Sequence, residues 1–450
     1  MEEKIYGGTF KILDKEYNGQ IRYSKEKYLV LEIHLNSSTL IDWATEFSLR
    51  KMIIHGDIIT GAKITLHNCS FLKSHINASQ GKTILFFKCE YLIWGNFLNG
   101  EIKSLSFELE NAMRWSGLSG LTQDYFGEDF FDCVKYKMGN SETFKYKDYD
   151  IQLFPSFKNE LSRYPRPEKA TVSERLCVRI EAPTNKPIMD LMQVMTDVCN
   201  IITFCIGNNI NILKIKCEEA NSYYFDADEK IYFNMEINCV QKSKHIYENQ
   251  FDIDIVDLEM IKGKIFKKFL DEYQEIKHII ELYVFLITSP ELPKHIQFIN
   301  IVQAVESFHS KFICEKLGLY KESIRNRYKD DKSYEFYKKF LLPPQQDGID
   351  FVVLTTRIND CFSRLPRTTL DYFKDNIIST KLTDTRHYFT HYNKSKYKKS
   401  LKNKNLERGI SLLCLTLNYL IWQHFGLNRD DYLTETFSHL KVDEMKNDNE

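Results

Sequence analysis

Residues 231–250 read IYFNMEINCVQKSKHIYENQ, and the fold turns on them. Ile231, Phe233, Met235, Ile237 and Cys239 alternate with Tyr232, Asn234, Glu236 and Asn238. That is the period of a strand with one buried face. The alternation then stops, and QKSKHIYENQ (241–250) is polar enough to be a linker. From about Ile255 the period is helical: Ile265, Phe269, Tyr273, Ile276, Ile280 and Val284 lie three or four apart. The expected architecture is an α+β multidomain chain, with a β-rich domain over 1–244 and an all-α helical bundle over 245–450.

Towards the N-terminus the sheet signal recurs. LVLEIHL places Leu29, Leu31, Ile33 and Leu35 on one face, and SLSFEL does the same with Leu105, Phe107 and Leu109. Turn signals such as Asn99-Gly100 separate such runs. One helix interrupts them. It starts near Pro187, a favoured first-turn residue, and ends at Gly207 and the asparagine pair behind it. Cys199 and Cys205 on that helix read as core packing. Trp43, Trp94 and Trp115 read as core, with a ligand platform as the alternative.

Towards the C-terminus, a helix follows the break at Pro290–Pro293 and runs through HIQFINIVQAVESFHSKF. Further helices are expected over Tyr334–Leu342, Val352–Phe362, Asn376–Tyr392 and Leu406–Phe425. The longest apolar run, Ile410–Trp422, is shorter than the roughly 20 residues of a membrane span, so it reads as a core helix. No membrane association is expected. MEEKIYGG has no secretory character. The eleven cysteines are scattered without a CxxC pair, which points to a reducing, cytoplasmic setting. With 43% hydrophobic and 27% charged residues, the 450-residue chain is globular. Its net charge of −1 leaves any electrostatic role to local patches.

One such patch lies around TRHYFTHYNKSKYKK, residues 385–399. From Lys381 to Arg408 nine Lys/Arg face only Asp384 and Glu407, a local surplus of seven positive charges. On a helix over 376–392, Ile378, Leu382, Thr385, Phe389 and Tyr392 form the inward stripe. His387 and His391 fall about 160° from Phe389, one turn apart, and Arg386 about 60° from it, on the flank. The histidines therefore point away from their own core. By position alone, ordinary surface histidines would look the same, and a lysine run is commonly a solvated loop.

The chemistry suits phosphodiester cleavage in RNA. A histidine of pKa about 6.5 exchanges protons near neutrality. An arginine fork matches phosphate oxygens. The histidine would take the ribose 2′-OH proton, and the arginine would steady the charge on the way to a 2′,3′-cyclic phosphate. No metal and no cofactor is needed, because the nucleophile belongs to the substrate. Lys394, Lys396, Lys398 and Lys399 would hold substrate phosphates. On the earlier helix Glu306 shares a stripe with Ile299, Val302, His309 and Ile313. It needs a partner there, and Arg386 is one candidate, with solvent as the alternative. A second Arg-x4-His, Arg50 to His55, sits in a strand-like stretch without a basic flank and reads as chance. His387-x3-His391 has zinc spacing, but Tyr388 stands where a zincin carries glutamate.

TRHYFTHYN, late in a helical domain, together with QAVESFH on an earlier helix, resembles the ApeA-like branch of the HEPN ribonucleases. HGDIITGAKITLHNC (His55–Cys69) and Trp115 resemble the β-rich domain paired with it. The resemblance implies Arg386 as motif arginine, His391 as motif histidine and His387 as the polar residue between them. It further implies a homodimer, or higher homo-oligomer, whose motif helices form a composite site. The expected activity is metal-independent cleavage of host RNA, with tRNA as one class, that aborts phage infection on a phage-derived trigger. The β-rich domain would be the sensor. A non-catalytic HEPN module that binds nucleic acid or a partner is the competing reading.

Overall fold

The computed structural model describes residues 3–12, 15–24, 27–35, 51–95, 101–126, 131–137, 139–161, 170–218, 223–226, 229–232, 235–239, 256–314, 316–328, 351–366, 377–392, 394–431 and 433. The chain forms two compact units, Met1–Cys199 with Ile210–His245, and Asn200–Asn209 with Ile246–Glu450. The first is β-rich and the second helical.

The first unit begins with β1 (Lys4–Ile12), β2 (Lys15–Ser24), β3 (Tyr28–Leu35), β4 (Met52–Ile58), β5 (Lys63–Asn77) and β6 (Lys82–Lys88). These six strands close on themselves. β1 pairs with β2 and β4, β2 with β3, and β3 with β6. The long β5 pairs with β4 through its first half and with β6 through its second. Every pair is antiparallel, and the cycle removes the edges an open sheet would expose. Phe10, Ile21, Leu31, Ile33, Ile54, Leu66, Leu85 and Phe87 belong to the buried core that fills it. Phe10 faces Gly56 across the β1–β4 ladder, and a Cβ at Gly56 would stand 2.7 Å from the Phe10 ring. Glycine is there because the ring occupies the space.

From β5 the sheet continues through β7 (Tyr91–Trp94), β17 (Met235–Cys239), β14 (Asn211–Glu218), β8 (Glu101–Glu110), β13 (Ala170–Pro187), β12 (Tyr149–Leu161) and β11 (Glu142–Tyr146). Strands β9 (Leu121–Phe126) and β10 (Phe131–Tyr136) pair separately, as do β15 (Tyr223–Asp226) and β16 (Glu229–Tyr232). The run Ile231–Cys239 is therefore two strands. Ile231 and Tyr232 end β16, whereas β17 lies between β14 and β7. Alternation fixes which face a residue takes, and it carries no information about pairing partners. Trp115 is buried and Trp94 half-buried against the barrel core; Trp43 lies outside the described residues.

Helix α1 (Ile188–Ile206) follows β13 directly and stops at Gly207, which donates its N–H to the Thr203 carbonyl at 2.9 Å and turns the chain out of the helix with a φ of 68°. It is long and apolar enough to cross a membrane by composition, yet it is mostly buried within the protein. Asp197 in its middle is buried and accepts a 2.8 Å hydrogen bond from the Tyr146 hydroxyl. Cys205 is buried and Cys199 half-buried on the same helix.

The helical unit contains α2 (Lys264–Thr288), α3 (Lys294–Phe308), α4 (Leu317–Tyr328), α5 (Leu354–Ser363), α6 (Ile377–His391) and α7 (Asn403–Phe425). Helix α7 is apolar on nearly every side and is the central core helix, as its composition requires. Trp422 stacks on Phe204 and Phe269 with ring centroids 5.3 and 5.4 Å apart. Helix α3 packs on α2 and α7, and α6 packs on α3 and α5. A Cβ at Gly409 would stand 2.9 Å from Leu401 and 3.2 Å from Leu382, so this glycine lets α6 lie close to α7. The α3 helix is shorter than its apolar pattern; at His309 it passes into a π-helical turn, His309–Ile313. The pattern did not reveal α4. The helix expected over Tyr334–Leu342 lies outside the described residues.

Candidate active site

Helix α6 carries the Arg386/His387/His391 group. Ile378, Leu382 and Thr385 are buried, as the stripe requires. The Thr385 hydroxyl donates to the Lys381 carbonyl at 2.6 Å and accepts the Leu401 N–H at 2.8 Å. Phe389 is half-buried, edge-on to Phe298 at 6.2 Å. Tyr392 breaks the stripe. It is 74% exposed and lies past the last helical residue with φ of 48°. Helical periodicity no longer applies once the backbone has turned left-handed.

The remaining face is open. His391 is exposed, His387 half-buried, and their rings stack with centroids 6.0 Å apart and planes 26° apart. Partial burial lowers the His387 pKa, helped by the charges of Arg386, His391 and Lys396 and opposed by Asp384. Arg386 is half-buried, and its guanidinium makes no hydrogen bond or ion pair with any described residue. Glu306 on α3 is also half-buried, and of its two candidate surroundings, an ion pair with Arg386 or solvent, the ion pair is not formed.

The four lysines behind the helix divide into two kinds. Lys396, in the helical turn Lys394–Tyr397, reaches back 2.6 Å to the buried Asp384 of α6. That pair fastens the basic segment to its helix and engages the Lys396 ammonium. Lys394, Lys398 and Lys399 are exposed. Among the described residues no three His, Cys, Asp or Glu side chains converge as a metal site.

A buried polar cluster in the same unit went unread in the sequence. Asp360 of α5 is fully buried. Its carboxylate accepts from His309 Nε2 at 3.0 Å, from Arg327 at 2.6 Å and from Arg364 at 3.3 and 3.4 Å. Arg357 donates to His309 Nδ1 at 3.2 Å and also to Ser310. One ring nitrogen donates and the other accepts, so His309 is the neutral Nε2–H tautomer. Burial lowers its pKa, the Asp360 carboxylate opposes that, and the Arg357 and Arg364 charges reinforce it. For Asp360, burial alone would raise the pKa. The His309 hydrogen bond and then the Arg364 and Arg327 charges outweigh it and hold the carboxyl well below its usual range. The cluster ties α3, α4 and α5 together around the π turn.

Two family models match the chain. One, described as ApeA N-terminal domain 1, covers residues 5–270, and one, described as Apea-like HEPN, covers residues 299–431. The second match includes α5, α6, α7 and the whole Arg386–His391 segment. No curated protein and no solved structure matches the chain.

Proposed function

The chain belongs to the ApeA family, with a C-terminal HEPN domain of the ribonuclease type found in antiviral defence; from that premise we propose that it is a metal-independent endoribonuclease acting through Arg386 and His391. The observation that carries this reading is the pairing on one helix of a guanidinium that no described residue engages with two stacked histidines, His391 exposed and His387 half-buried. His391 takes the proton from a ribose 2′-OH. The 2′-oxygen attacks phosphorus, Arg386 steadies the added charge, and the bond to the 5′-oxygen breaks. The leaving 5′-oxygen takes up a proton. The products are a 2′,3′-cyclic phosphate and a 5′-hydroxyl. His387, beside both groups, supports the site.

One helix presents its histidines to one side of a phosphate, whereas base and acid act on opposite sides. A two-fold partner chain supplies the second Arg386/His391 set, so the active unit is a homodimer built on the HEPN helices. Host RNA, tRNA among its classes, is the substrate in the cytoplasm. Cleavage stops growth during infection, and the β-rich unit answers a phage-derived trigger.

The test uses purified full-length chain and RNA in excess EDTA. Cleavage that persists and leaves 2′,3′-cyclic phosphate ends is expected. Loss on chelation, restored by a divalent ion, refutes the mechanism. Tight RNA binding with no cleavage under any condition assigns the chain to the non-catalytic binding modules.

A further inference from the structure

Beside the proposed catalytic residues lies an aromatic surface for which the fold has no evident use. Tyr392 is 74% exposed and Tyr397 48% exposed. Between them sits Tyr388, with ring centroids 6.2 Å from Tyr392 and 5.1 Å from Tyr397. The three rings, from Tyr388 to Tyr397 on either side of His391 in the chain, make a ladder of edge-on and tilted contacts, with planes 71° and 54° apart. Lys402 lies over the Tyr397 ring with its ammonium 4.0 Å from the centroid.

Two features argue that the ladder serves a ligand. First, Tyr392 holds a left-handed backbone conformation, with φ of 48°, and closes the helix by donating its N–H to the Tyr388 carbonyl at 2.7 Å. Glycine or asparagine takes this position at little cost, whereas a bulky side chain there is an outlier. The conformation carries the ring out into solvent, where it buries little of the protein's own surface. Second, the surround is cationic. Lys394, Lys398, Lys399 and Lys402, in the same short segment of chain, are exposed. Aromatic faces among lysines, adjoining an arginine that no described residue engages, complement a ligand with flat π faces on a polyanionic backbone.

We infer that Tyr392 and Tyr397 form a stacking platform for unpaired nucleobases next to the bond to be cut. The inference rests on the ribonuclease reading of Arg386 and His391. It adds residues that no proton-transfer argument requires. In a duplex each base face is covered by its neighbours, so the platform accepts bases that are already unstacked. The lysines hold the flanking phosphates, and the stacked bases fix which phosphate reaches His391.

The experiment measures binding in the full-length His391→Ala chain, which does not cut its probe. The probes are a labelled unstructured RNA strand, the same strand in a duplex, and the same strand with abasic sites. Tyr392→Ala and Tyr397→Ala should each weaken single-strand binding about 5- to 150-fold, the worth of one base stack. Tyr392→Phe, which keeps the ring, should stay within about twofold of the parent. The abasic strand should bind the parent more weakly and no longer distinguish it from Tyr392→Ala. Single-strand binding unchanged in both alanine variants overturns the platform. So does duplex binding that is equally tight and equally sensitive. A change in sedimenting mass in Tyr392→Ala, with abasic discrimination intact, also overturns it and gives the tyrosines to a chain–chain interface. The two readings fail separately: single-strand binding unchanged in the alanine variants refutes the platform while wild-type cleavage still stands, and a wild-type chain that binds but never cuts refutes only the ribonuclease.

Discussion

Asp360→Ala should unfold the helical unit far more readily than its one-residue size suggests. The carboxylate is fully buried and takes hydrogen bonds from His309, Arg327 and Arg364. Removing it leaves the half-buried Arg327 and Arg364 guanidinium groups without their anion and the buried His309 N–H without its acceptor. Breaking a buried ion pair by deleting one partner costs about 3–5 kcal/mol, against a domain stability of roughly 5–15 kcal/mol. With a urea dependence of about 2 kcal/mol per molar, the midpoint should fall by about 1.5–2.5 M. Far-UV circular dichroism follows the transition, because the helices dominate that signal. Asp360→Asn keeps the volume and one acceptor oxygen and should fall in between. The pH dependence has a definite sign. The folded pKa of His309 is lowered, so below about 6.5 the unfolded chain binds a proton that the folded one refuses. Stability is full above that pH and declines as pH falls towards the folded value, by up to about 1.4 kcal/mol per pH unit. Asp360, also lowered, adds a loss of the same sign below about 3.9. His309→Gln should flatten the upper part of this decline. A midpoint for Asp360→Ala within about 0.3 M of the parent, or a decline unaltered by His309→Gln, would refute the reasoning.

Four further outcomes are expected. Changing Lys394, Lys398 and Lys399 together to Ala should reduce the slope of log K against log salt for single-stranded RNA by about 2, at about 0.7 per lost phosphate contact. Lys396→Ala should act instead by releasing the buried Asp384, lowering stability with little effect on that slope. His391→Ala should lower kcat by about 10²–10⁴ and His387→Ala by less, measured under single-turnover conditions; the reverse order makes His387 the base. The chain should sediment as a homodimer at assay concentration, and a monomer that cleaves at the full rate ends the composite site.

What the sequence disclosed was periodic. Leu29, Leu31 and Ile33 are buried on β3, and Leu105, Phe107 and Leu109 on β8, because alternation dictates the face. The α6 helix and its open histidine face followed in the same way from a step of three and four. Closure of β1–β6 did not follow, since pairing partners are decided by tertiary contact. Tyr392 was misplaced because the stripe was carried one residue beyond the helix, into a left-handed turn. The polar cluster was hidden for a different reason. Arg357, Asp360 and Arg364 look like a charged helix surface, although Ile358, Cys361 and Phe362 between them are also buried. The stripe that runs from α3 into the π turn does hold a buried polar residue with a partner, but it is His309 rather than Glu306, and its partner Asp360 comes from another helix. Glu306 has no such partner among the described residues.

The central claim is that Arg386 and His391 cut RNA, and one comparison tests it most directly. Wild type and His391→Ala are expressed to equal levels, and RNA ends bearing 2′,3′-cyclic phosphate are sequenced from both. The account predicts growth arrest with new, position-specific ends in the wild type alone, once the chain is released to act by over-expression or infection. The same ends and the same arrest in His391→Ala would contradict it.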